Sequence, residues 1–114
     1  MKKISISFLF TFQLIFSQRV VGYYPHWVFN NFPPEDIDLG VISHVIHAFA
    51  WPNSDGSIGS YDGMFGSGIS DVIHEQDRKF LLSLGGWGND SNFEIICADA
   101  DLREYFINNL ISIL

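Results

Sequence analysis

Residues 79–87 read Lys79-Phe80-Leu81-Leu82-Ser83-Leu84-Gly85-Gly86-Trp87, an apolar run that closes on two glycines and a tryptophan. A short, near-continuous apolar run of this kind, here Lys79 to Leu84, is expected of a parallel strand covered on both faces. The glycine pair at its end permits a tight turn and a close approach of backbone. Strict alternation along the strand places Ser83 and Gly85 on one face and Leu82, Leu84 and Gly86 on the other.

Working outward, two earlier segments have the same character: Arg19 to Tyr24 and Val41 to Ala50. Pro33-Pro34-Glu35-Asp36 lies between them, a proline-then-acid start suited to a short helix. Asn53-Ser54-Asp55-Gly56 reads as a turn, followed by a helix with Ile69, Val72 and Ile73 on one side. Beyond residue 87, Asp101-Leu102-Arg103-Glu104 resembles a capping box. It would open a helix whose Phe106, Ile107, Leu110, Ile111 and Leu114 make a single apolar stripe. The order β-α-β-α-β-α predicts an α/β fold with a parallel sheet or barrel. A (β/α)8 barrel takes about 250 residues, so the expectation is the first three βα units of a TIM barrel, incomplete at residue 114. An open three-stranded α/β domain is the alternative.

Part of the hydrophobicity is not fold. Met1-Lys2-Lys3 and the apolar run Ile4 to Phe16 form the charged and apolar regions of a secretory signal peptide, residues 1–17. That run is shorter than the roughly 20 apolar residues of a membrane span. Cleavage after Ser17 would leave residues 18–114 as a secreted, extracellular domain without a stable membrane anchor. This part carries four basic and thirteen acidic side chains, a net charge of −9 with histidines neutral. Such a surface repels phosphate backbones and argues against a nucleic-acid partner. One cysteine, Cys97, excludes an internal disulfide framework and reads as a small buried hydrophobe.

All three tryptophans, Trp27, Trp51 and Trp87, fall just past the carboxyl end of an expected strand. That is the active-site face of (β/α) barrels. Flat rings gathered there suit stacking on the C–H faces of sugars, or they plug the barrel end. Other candidates carry less chemistry. His44 and His47 are three apart on a strand, face opposite sides and make poor joint metal ligands. Asn53 to Gly56 lacks the periodic acids and closing Glu of a calcium loop. Asn89-Asp90-Ser91 is a glycosylation sequon, meaningful in a eukaryotic secretory pathway. The acids are scattered without a paired-carboxylate pattern, and neither a metal nor a cofactor is expected.

Three blocks together resemble glycoside hydrolase family 18, the chitinases and their relatives. Val20-Val21-Gly22-Tyr23-Tyr24 is similar to the family's first strand, and Ser43-His44-Val45-Ile46-His47-Ala48-Phe49-Ala50 to its second. Leu82-Ser83-Leu84-Gly85-Gly86-Trp87 is similar to the SxGG motif on its third. The resemblance implies a TIM barrel, monomeric when complete, that binds chitin or chito-oligosaccharides. It implies that Tyr23 and Phe49 form the floor under a sugar, and that Gly85, Gly86 and Trp87 border the non-reducing subsites. Ser83 would support the carboxylates of the following strand. The resemblance further implies a non-proline cis peptide between Ala48 and Phe49.

The family's mechanism is substrate-assisted: a glutamic acid protonates the glycosidic oxygen while the N-acetyl carbonyl attacks the anomeric carbon. That glutamate closes a DxxDxDxE motif on the fourth strand. The motif is absent from this sequence, its expected place beginning just after Leu114, so no residue here is assigned as catalytic. The implied activity is hydrolysis of β-1,4-linked N-acetylglucosamine polymers, with the chain itself inactive. A chitinase-like lectin without the acid and an endo-β-N-acetylglucosaminidase acting on N-glycans are the alternatives.

Overall fold

A computed structural model describes residues 18–114; the expected signal peptide lies outside the described residues. The chain runs β1 (Val21–Pro25), β2 (His44–Pro52), β3 (Ile58–Ser60), α1 (Ile69–Glu75), β4 (Lys79–Leu84), α2 (Asn92–Ala98) and α3 (Ala100–Ile113). Single 3₁₀ turns cover His26–Val28 and Pro34–Asp36, the latter at the proline-then-acid site. The fold is mixed α/β, and no helix of the described residues is long and apolar enough to cross a membrane.

Strand β2 is central. It pairs in parallel with β1, Tyr23 opposite Ile46 and Tyr24 opposite His47, and in parallel with β4, His47 opposite Leu82 and Ala48 opposite Ser83. The β4 register slips between Ala48 and Ala50, leaving Phe49 out of the ladder, and the Ala48–Phe49 peptide is cis. β2 starts later than expected because Asp38 gathers the preceding residues into a turn. Its carbonyl accepts from the Val41 and Ile42 amides, and its carboxylate accepts from the Gly40 amide. β2 also runs on to Pro52, where it pairs with β3, an antiparallel strand that the sequence reading did not anticipate. The Asn53–Gly56 turn joins the two, closed by the Gly56 amide on the Asn53 carbonyl at 3.0 Å.

The sheet is covered on one face, not two. Tyr24, Val45, Ile69, Ile73 and Leu39 form the core between the sheet, α1 and the first crossover. Ile69 and Ile73 stand four residues apart and so share one side of α1. Ile73 has no exposed surface, and sealing a side chain of that size contributes about 1.5–3 kcal/mol. On the other face Val21, Tyr23 and Leu81 stand exposed.

After β4 the structure corrects three expectations. The cap of the last helix is Asp99, whose carboxylate accepts from the Asp101 and Leu102 amides at 2.9 and 3.0 Å, so the helix begins before the expected capping box. The apolar stripe of α3 is only partly covered. Phe106 is buried and meets Phe93 of α2 edge-on, while Ile107, Ile111 and Leu114 are exposed. Cys97 is exposed on α2 because its neighbour Ile96 takes the inward position. The middle of α3 instead packs on the hairpin. A side chain at Gly56, whose φ is +82°, would strike the Tyr105 ring, and Asn109 Nδ2 donates to the Gly56 carbonyl at 3.1 Å.

Candidate sugar-binding site

The carboxyl ends of β1 and β2 bring five aromatic rings together. Phe49, displaced from the ladder, lies 6.4 Å from Tyr23 and 6.2 Å from Trp27, the latter nearly parallel at 28°. Trp27 follows β1 on its 3₁₀ turn and meets Tyr61 edge-on at 5.6 Å. Tyr61, one residue past β3, also makes a T-shaped contact with Trp51 at 5.5 Å. Offset-stacked and T-shaped contacts of this kind hold rings rigidly while leaving outer faces free. Tyr23 and Trp27 are 63% and 55% exposed, so the array presents apolar surface to solvent.

Two glycines make this packing possible. A Cβ at Gly86 would come within 3.0 Å of Phe49 Cγ, so only a glycine lets the backbone lie against that ring. Gly59 sits opposite Trp51 in the hairpin register, and a Cβ there would collide with the indole. The Trp51 ring therefore lies over bare backbone.

A pair of histidines braces the array from below. His26 Nε2 lies 3.0 Å from the Asp62 carbonyl, and His26 Nδ1 lies 3.2 Å from His47 Nε2. A carbonyl only accepts, so in the neutral ring Nε2 of His26 carries the proton and Nδ1 accepts from His47 Nε2–H. The brace ties β2 to the loop that carries Tyr61, with Trp27 adjacent to His26. Burial, and then the neighbouring His26, depress the His47 pKa from 6.5 to about 4, which keeps the ring neutral. His44, on the opposite face, instead bonds the Ser43 hydroxyl at 2.8 Å.

The residues singled out from the sequence divide into two groups. Tyr23, Phe49 and Gly86 come together. Ser83 lies half-buried opposite Ala48, on the same open face as Tyr23 and Leu81. Gly85 does not share that face. A Cβ there would point at Phe93 of α2, 3.3 Å away, because the strand ends at Leu84 and φ of +93° and +98° at Gly85 and Gly86 break the alternation. Trp87 is fully exposed, 103%, and has no ring partner among the described residues. The sequence reading missed Tyr61 and His26. Their only signal was aromatic character next to a tryptophan and just past the expected turn.

A profile of glycosyl hydrolases family 18 matches residues 19–114. Over 94 residues the chain is 30% identical to a probable endochitinase of Caenorhabditis elegans, covering 72% of this chain and 15% of that protein. It is 26% identical to a chitinase-like effector of Moniliophthora roreri, covering 79% of this chain and 23% of the effector. The structure superposes with a TM-score of 0.71 and 27% identity on a mutant family 18 chitinase of Cycas revoluta in complex with (GlcNAc)4, covering 82% of this chain and 29% of the cycad protein. The chain thus spans less than a third of the length of each of these relatives. With the profile matched along nearly every described residue and a solved family 18 chitinase superposing on the structure, this chain belongs to glycosyl hydrolases family 18.

Proposed function

We propose that this chain supplies the first three βα units of a chitinase-type (β/α)8 barrel, and with them the aromatic wall along which a β-1,4-linked N-acetylglucosamine chain lies. The observation that carries this reading is the ring array Tyr23–Phe49–Trp27–Tyr61 at the carboxyl ends of parallel strands, exposed on one side and braced on the other. Tyr23 and Phe49 form the floor under a sugar, with Gly86 against the floor and Gly85 setting the turn. Trp87 offers an indole at the rim, and Ser83 faces the position where the next strand's carboxylates stand.

In the proposed reaction the substrate's own N-acetyl oxygen attacks the anomeric carbon as a glutamic acid protonates the leaving oxygen. The 114 residues contain no DxxDxDxE motif, so these residues bind sugar and do not cleave it. The Lys-Lys start and apolar run support secretion. A second reading, a chitinase-like sugar-binding protein without the acid, is supported by the fungal relative, which is named an effector rather than a chitinase. The residue that closes the acidic motif separates the two.

The test is a titration of the chain with (GlcNAc)4 followed by tryptophan fluorescence, with cellotetraose in parallel and a chromogenic N-acetylglucosamine oligomer assayed for release. Saturable quenching by the first sugar alone and no turnover are expected. Equal responses to both sugars, or turnover with contamination excluded, would overturn the proposal.

A further inference from the structure

Trp87 is the anomaly of this surface. Trp27 and Trp51 each rest against other rings, whereas Trp87 has its whole indole in water and no ring beside it among the described residues. Leaving so large an apolar side chain bare wastes the stabilisation that its coverage would bring. Two residues later comes Asn89-Asp90-Ser91, a sequon without proline. The Asn89 amide bonds back to the Gly86 carbonyl at 3.3 Å, and Gly88 has a φ of +80°. Trp87 and Asn89 therefore sit on one tight turn rather than on an extended strand. Ser91 occupies the N-cap position of α2, yet its hydroxyl caps no backbone amide. Among the described residues that hydroxyl makes no hydrogen bond, and a sequon requires it.

We propose that Asn89 is an N-glycosylation site and that the first N-acetylglucosamine of its glycan covers the indole of Trp87. The donor is a polyprenyl-diphosphate oligosaccharide, and the host's transferase performs the step. Asn89 Nδ2 forms a bond to the anomeric carbon, the bond from that carbon to the diphosphate oxygen breaks, and its electron pair leaves with the diphosphate. The displaced amide proton passes to the transferase. The apolar C–H face of the sugar then lies on the indole, as sugars do on exposed aromatic rings. N-glycans begin with two β-1,4-linked N-acetylglucosamines, the repeat of chitin. The rim tryptophan is thus met by the same disaccharide whether it comes from substrate or from the chain's own glycan. The three relatives described above come from a nematode, a fungus and a cycad, all lineages whose secretory pathway attaches N-glycans. The proposal rests on the secretory reading of residues 1–17.

The experiment is expression of the chain in an N-glycosylating eukaryotic cell in two forms, one with its own residues 1–17 and one with a proven secretory leader in their place. Intact mass is read before and after enzymatic removal of N-glycans. The leader-swapped form should carry a glycan that disappears in Asn89→Gln and in Ser91→Ala. No glycan on that form overturns the proposal. A glycan on it alone shows that Asn89 is a competent acceptor, but it sinks the secretory reading of residues 1–17 and with it the proposal for the native chain. Trp87→Ala should lower occupancy at Asn89 by about twofold or more while Trp87→Phe keeps it, since the effect works through ring contact. Equal occupancy in all three overturns the sugar–indole contact.

Discussion

On one side of the sheet Tyr24, Val45 and His47 are sealed beneath α1 and the first crossover, while on the other Val21 and Tyr23 of β1 and Leu81 of β4 stand open to water. Adjacent residues Tyr23 and Tyr24 are the sharpest instance: one is 63% exposed and the other 3%. Their chemistry is identical, so composition does not decide which ring becomes core. Position does. Tyr24 falls in register with His47 and donates its hydroxyl to the Phe32 carbonyl at 2.6 Å, whereas Tyr23 falls in register with Ile46 and faces the ring array. The lesson is that one face of this sheet holds the fold while the other is left open, and it is on the open face that the proposed sugar site stands.

Three experiments break or sharpen that contrast. The largest effect is expected in the core: Ile73→Ala should cost about 2–5 kcal/mol in urea denaturation, whereas Leu81→Ala on the open face should stay within about 0.5 kcal/mol. Equal losses would abolish the distinction between the faces. Next, Trp27→Ala should weaken (GlcNAc)4 binding by about 1–3 kcal/mol at nearly unchanged stability, because the ring works by contact area. The same holds for Trp87→Ala in protein made without a glycan. A loss of stability instead, with affinity intact, would make Trp27 part of the core.

The effect smallest per step of the variable comes from pH. His47 has a folded pKa of about 4 against an unfolded 6.5, so the unfolded chain binds the proton more readily between those values. Its contribution is fully present above the unfolded value and is lost as pH falls through the window toward 4. The slope cannot exceed about 1.4 kcal/mol per pH unit for one proton. Tyr24, Phe80 and His26 pack around this ring; His26 and Tyr24 are its titratable neighbours, and burial moves the Tyr24 pKa upward, further from this window. His47→Leu should flatten the curve in that window, and a curve unchanged by the substitution would place the pH dependence elsewhere.

The parts of the fold legible in the sequence were those where local pattern and tertiary demand agree. β4 has the bounds read from residues 79–84 because an apolar run is cut by a charge on one side and two glycines on the other. β3 was invisible because Ile58-Gly59-Ser60 offers a single apolar side chain. It exists by virtue of pairing with the extension of β2 and the fit of Trp51 over Gly59. The cap at Asp99 and the expected start at Asp101 are chemically alike, and only helix geometry chooses between acids two residues apart. In the site, Tyr23 and Phe49 follow from the family resemblance alone. The inversion of Gly85 depends on positive φ angles that no alternation rule anticipates. His26 and Tyr61 required the loop after β3 to fold back onto β1, a contact across 36 residues.

The central place of β2 has a consequence in time as well as in space. His44 pairs with Lys79, 35 residues further along the chain. Synthesis proceeds at about 5–20 residues per second, so β2 emerges with one edge bare for roughly 2–7 s before its partner exists. During that interval His44 to Pro52 is an apolar strand with one flank open, which makes it the stretch most in need of a chaperone's hold on the growing chain.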